Sequence, residues 1–169
     1  MRRTTVATTS TATFEFNQEY IGKFSSYTDL VRRTAYWLRF MTLLRTPKQE
    51  RKEFTFLSTT ELNEAENILV RLVQKEVFAT EWKALSEQNT VPRRSPLRWF
   101  NPFIAEDQLI RLGGRLKHSM ETEETKHPVA LPARHHFTRL LLRHYHERLM
   151  HAGPQLLLSV VRLRFWPLG

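Results

Sequence analysis

The run Ser58-Thr59-Thr60-Glu61 constrains the fold most, because it fixes where one helix must begin. A serine hydroxyl satisfies a free amide of the first turn, and a glutamate three residues on reaches back to the serine amide. Leu62, Ala65, Leu69, Leu72, Val73 and Glu76 then recur at helical spacing, and Phe78, Trp82 and Leu85 extend the apolar content with some drift. The reading is a helix of about 25 residues with one buried face. An earlier helix starts equally clearly. Ser26 can cap it, Asp29 favours its first turn, and Leu30, Thr34, Trp37, Leu38, Met41 and Leu44 share a face until Pro47 prevents simple continuation. The two stripes are read as core and their helices as an antiparallel hairpin.

Beyond Val91 the chain changes character. Pro92, Pro96 and Pro102, mixed with Arg93, Arg94 and Arg98, make a helix-averse basic linker, with Trp99, Phe100 and Phe103 as its anchors. An arginine–aromatic cluster of this kind can also stack on unpaired bases. Leu109-Ile110-Arg111-Leu112, then Gly113-Gly114 and Arg115-Leu116, predict a β-hairpin, since primed turns need positive φ. His127 to Pro132 can add a third strand, which its prolines would confine to an edge. A helix follows to about Leu149. Ala152-Gly153 stops it, and Pro154 opens another at its first position. The fold class is therefore α+β, mainly α: a loose lead-in over 1–23, a helical hairpin region over 24–90, a Pro/Arg linker with a small β segment over 91–132, and a helical module over 133–169.

Composition narrows the chemistry. The chain has 169 residues, no cysteine and a formal net charge of +9. Disulfides are excluded, and so is any thiolate metal site built by this chain alone. The basic balance, with arginine ahead of lysine, suits a polyanion such as nucleic acid. No window approaches the roughly 20 apolar residues of a membrane span, and neither a membrane nor a small-molecule substrate is expected as a partner. His-Glu-x-x-His, a phosphate-binding Gly-rich loop and Gly-x-Ser-x-Gly are all missing from the sequence, so no enzyme is expected.

All seven histidines lie in the last third. His146 and His151 are five apart, about 140° around a continuous helix, and cannot share a metal unless the helix ends near Leu149 and the chain folds back. Even then they supply only half of a tetrahedral zinc site, and spacing alone favours a surface or packing role for the pair. His135, His136 and His144 read as exposed helix residues or helix-end charge.

Phe24 to Phe40, Leu57 to Leu62 with Ala65, Arg111-Leu112-Gly113-Gly114-Arg115, Lys126 to Pro132, and His146, His151-Ala152-Gly153 with Arg162 to Trp166 follow one another along the chain. The order of these segments resembles BEL/Pao-type retrotransposon polyproteins. Gln108 stands where the family usually carries Gly. The resemblance implies the region leading into an integrase His-His-Cys-Cys zinc-binding module, with His146 and His151 as the two histidine ligands. The chain is expected to be a fragment ending before the two cysteines, and also before the catalytic core. The 133–169 module is accordingly expected to be incomplete, with Zn²⁺ held weakly or not at all by this chain alone. The implied role is DNA integration, nuclear if retained, with nucleic acid and other polyprotein-derived chains as partners. Arg111, Arg115, Arg139, Arg143, Arg162 and Arg164 are the candidate phosphate contacts. The alternative is a helical protein–protein interaction module that binds through the Trp37 and Trp82 faces.

Overall fold

A computed structural model describes residues 18–50, 56–113 and 123–168. It is α+β and mainly helical, as expected. After a short helix α1 (Gln18–Gly22), the first long helix α2 runs Tyr27–Arg45. Ser26 caps it by accepting a hydrogen bond from the Asp29 amide at 3.3 Å. The second, α3 (Thr59–Val77), opens on a complete capping box: the Glu61 amide donates to Ser58 Oγ, and the Ser58 amide donates to Glu61 Oε2 at 2.8 Å. α2 and α3 pack against each other, and Arg39 ties them with a fork onto both Glu61 oxygens at 2.6 and 2.7 Å.

That fork titrates in a useful range. The Glu61 carboxyl is held at about 2, against an ordinary 4.5, chiefly by Arg39 and then by Ser58, with burial opposing them. A carboxylate whose folded pKa is depressed stabilises fully above its unfolded pKa and stops doing so as pH falls through the folded one. Stability should therefore decline between pH about 4.5 and about 2, and Glu61→Gln should flatten that part of the curve. Urea midpoints measured across the range check this. Equal acid slopes in the two proteins would remove Glu61 from the account.

The expected 25-residue helix is interrupted. α3 ends at Val77, and α4 (Ala79–Ser86) restarts after Phe78, whose backbone leaves the helical region at φ −106°, ψ 34°. Phe78 is buried in a second apolar cluster with Leu97, Ile110, Leu112 and Ala130. Burying that ring requires the chain to bend, and local helix propensity does not oppose a one-residue break strongly enough to prevent it.

The sheet departs further from expectation. Four strands run in the order β1 (Pro102–Ile104), β2 (Ile110–Leu112), β3 (Val129–Pro132), β4 (Phe165–Leu168). β1, β2 and β3 are antiparallel neighbours, while β3 and β4 are parallel. One hairpin turn lies before β2, at Ala105–Leu109, and the turn expected at Gly113-Gly114 falls largely outside the described residues. Gln108, at the position where glycine was expected, adopts φ 60°, a conformation that costs a non-glycine residue about 1–2 kcal/mol. Gly113 has another duty: its amide donates to the Asn101 carbonyl at 3.0 Å, and a Cβ there would stand 2.8 Å from that oxygen. Gly114, Arg115 and Leu116 lie outside the described residues.

β3 is no edge strand. It sits between β2 and β4 with all four residues buried. Its prolines are tolerated because Pro128 precedes the strand and Pro132 ends it. There the Pro132 carbonyl accepts from Thr138 Oγ1 at 2.8 Å and the Ala133 amide donates to Leu168. The chain enters β3 from a short helix α5 (Glu123–Lys126), leaves it through helices α6 (His136–Arg148) and α7 (Pro154–Arg162) and returns as β4, so the tail from Phe165 is strand and not helical module.

The larger core combines Ile21, Leu30 and Leu69 from α1–α3 with Leu131, Phe137, Leu141, Val161 and Phe165. The ranges 24–90, 91–132 and 133–169 thus share one interior. Ile21, within the range expected to be loose, is buried on α1. In the linker Leu97 is fully buried, whereas Trp99, expected to anchor, is 84% exposed. Between Ile110 and Ala130 the Gln74 side chain lies buried, bonded to both strands.

Candidate metal half-site and arginine surface

Helix α6 ends in a way its sequence does not announce. The His151 amide donates to the His146 carbonyl at 2.9 Å, and the Met150 amide donates to Glu147 at 3.1 Å. These are the two hydrogen bonds of a Schellman motif, which usually places glycine at the left-handed position. Here Met150 (φ 53°) and His151 (φ 62°) take left-handed conformations without glycine. The reversal falls two residues before the expected Ala152-Gly153. It returns His151 over the last turn, where its ring meets that of His146 edge to face, with centroids 4.9 Å apart. His151 is exposed and His146 half-buried. Among the described residues no group of three or more His, Cys, Asp or Glu is placed to hold a metal. The two imidazoles thus stand side by side at the end of the helix.

The other histidines among the described residues make contacts within the fold. His135 is buried, not exposed: it caps α6, its Nδ1 accepting from the Phe137 amide at 3.1 Å. Its Nε2 lies 3.6 Å from Glu76. Burial lowers its pKa, opposed by Glu76, which preserves the neutral ring that the cap needs. His136 Nε2 lies 2.8 Å from the Phe24 carbonyl, and His144 packs on the Tyr27 ring at 5.1 Å. His118 lies outside the described residues. His127 meets the Phe103 ring edge-on at 5.2 Å.

No protein-family model, curated protein or solved structure matches the chain.

The candidate phosphate contacts divide by environment. Arg111 forks onto Asp107 Oδ2, at 2.7 Å from Nη2, and reaches the His127 carbonyl, while Arg164 pairs with the buried Glu66. These two guanidinium groups are engaged inside the fold. Arg139 and Arg143 are exposed along α6 beside Lys23, and Arg162 is exposed with its guanidinium 4.6 Å from the centre of the Trp166 ring. Arg115 is outside the described residues. The two tryptophan faces also differ from one another. Trp82 packs against the second apolar cluster with Lys75 over its ring, and Trp37 stacks near Phe40 at 5.6 Å. No helix among the described residues is long and apolar enough to cross a membrane.

Proposed function

We propose that the chain is a segment of a BEL/Pao-type retrotransposon polyprotein that contributes His146 and His151 to an integrase-type zinc site. On this reading it contacts nucleic acid through exposed arginines and has no catalysis of its own. The imidazole pair carries the reading. Two successive left-handed residues without glycine cost about 1–2 kcal/mol each, and backbone outliers of this kind cluster at functional sites. Here the outcome of that cost is the apposition of two imidazole rings, the side chain zinc most often takes as a nitrogen ligand. Zinc in such a site is structural and joins chain segments through four tetrahedral ligands. This cysteine-free chain leaves two thiolates to another segment or chain. Arg139, Arg143 and Arg162, exposed on α6 and α7, support the nucleic-acid role.

Calorimetric zinc titration tests the half-site. The intact protein should bind weakly, and more tightly when a Cys-x-x-Cys peptide is supplied to complete the ligand set. Either His146→Ala or His151→Ala should abolish the peptide-dependent gain. Zinc binding that is indifferent to both substitutions would defeat the assignment.

A further inference from the structure

A groove of about 550 Å³ opens between α2, the start of α3 and the end of α6. Its floor is closed by an internal network in which the Tyr27 hydroxyl donates to Glu66 and Arg164 pairs with the same carboxylate. With both oxygens engaged, Glu66 presents little unpaired negative charge to the opening. The rim has the opposite character. Arg32 and Arg148 line it, both exposed and without an ion-pair partner among the described residues. Two aromatic rings lie beside them: Phe56 is 83% exposed and Tyr36 45%. The exposed amide of Asn63 adds two donors and an acceptor at the same opening.

Exposed aromatic rings flanked by unpaired guanidinium groups match the chemistry of a nucleotide, which has an aromatic face and a phosphate on either side. A base inside a duplex is stacked on both faces and cannot lie on Phe56 or Tyr36, so the groove discriminates between strands. We propose that it holds one unpaired nucleotide of a single-stranded nucleic acid. The base lies against Phe56 and Tyr36, and the flanking phosphates lie on Arg32 and Arg148. The proposal rests on the nucleic-acid reading above but uses different residues from the exposed arginines named there.

Fluorescence anisotropy with a labelled oligothymidylate and a duplex of equal length, each across a salt series, tests it. The intact protein should prefer the single strand. Phe56→Ala should weaken single-strand binding about 5- to 150-fold, the range expected for losing one stacked base, and leave duplex binding unchanged. Because Phe56 is mostly exposed, an unaltered thermal transition will show that this variant folds. Arg32→Gln and Arg148→Gln should each lower the single-strand salt slope by about 0.7. If single strand and duplex bind equally and Phe56→Ala is silent, the groove assignment is overturned while the nucleic-acid reading stands. If Trp99→Ala carries the loss instead, the stacking site is the arginine–aromatic linker and the groove is again overturned. If the intact protein binds neither probe, both readings fall.

Discussion

Replacing Gln74 with leucine is expected to lower the unfolding free energy by about 3–5 kcal/mol, more than replacing it with alanine. β2 and β3 pair at Arg111 and Val129, and continuing that register by one residue sets Ile110 opposite Ala130. These two do not close on each other, because the Gln74 amide stands between them. Its Nε2 donates to the Ile110 and Ala130 carbonyls at 2.9 and 2.8 Å, and its Oε1 accepts from the Ile110 amide at 2.8 Å. One side chain thus stands in for a rung of the ladder in a fully buried position.

Leucine keeps the strands apart and strands three polar backbone groups, each costing about 1–3 kcal/mol when unsatisfied. Alanine leaves space for Ile110 and Ala130 to approach and restore part of the ladder, which offsets some of the loss. Urea unfolding of the three proteins checks the order. A leucine variant within about 1 kcal/mol of the parent would show that Gln74 merely fills space.

Arg164→Ala is the second large effect, with an expected loss of about 3 kcal/mol. Glu66 has a side chain only 8% exposed and relies on Arg164 and the Tyr27 hydroxyl. Removing the cation leaves a buried carboxylate whose remaining bond, to Tyr27, does not compensate its desolvation. Glu66→Gln should cost less, about 1 kcal/mol, because an amide oxygen still accepts from Tyr27 and Arg164 is 31% exposed and can turn to water. Burial and Glu66 together hold the Tyr27 hydroxyl pKa well above its ordinary range, so it remains a donor throughout the accessible pH range. Replacing both members with Glu66→Leu and Arg164→Met should recover much of the single-variant loss, as buried pairs often exchange for apolar packing at little cost. A double variant as unstable as the sum of the two singles would contradict that account.

The helix starts were legible because their signals are local. Ser26 with Asp29, Ser58 with Glu61, and Pro154 behind Gly153 each act within one turn, and the structure has all three. The candidate site was legible only in part. His146 and His151 were recognisable as a pair that needs a chain reversal, but the residues that make the reversal, Met150 and His151, carry no glycine to mark it. The groove rim had no sequence signal, since Arg32, Phe56 and Arg148 come from three separate segments. His135 misled for a related reason. A histidine beside a helix start reads as solvent-exposed charge until tertiary packing covers it and its ring nitrogen becomes the cap.

The sequence by itself determined the starts of α2, α3 and α7, much of their apolar faces and the basic, cysteine-free composition, because those depend on residues within a turn or two of one another. Only the tertiary structure decided the sheet and what it joins. Phe165 to Leu168 carry little periodicity, yet they become a strand because β3 already presents unpaired backbone groups and both apolar clusters lie beside it. The Phe78 break, the Gln74 rung and the central place of β3 have the same origin. In each, burial of a ring or satisfaction of a backbone amide across dozens of residues outweighs a local preference of about 1 kcal/mol.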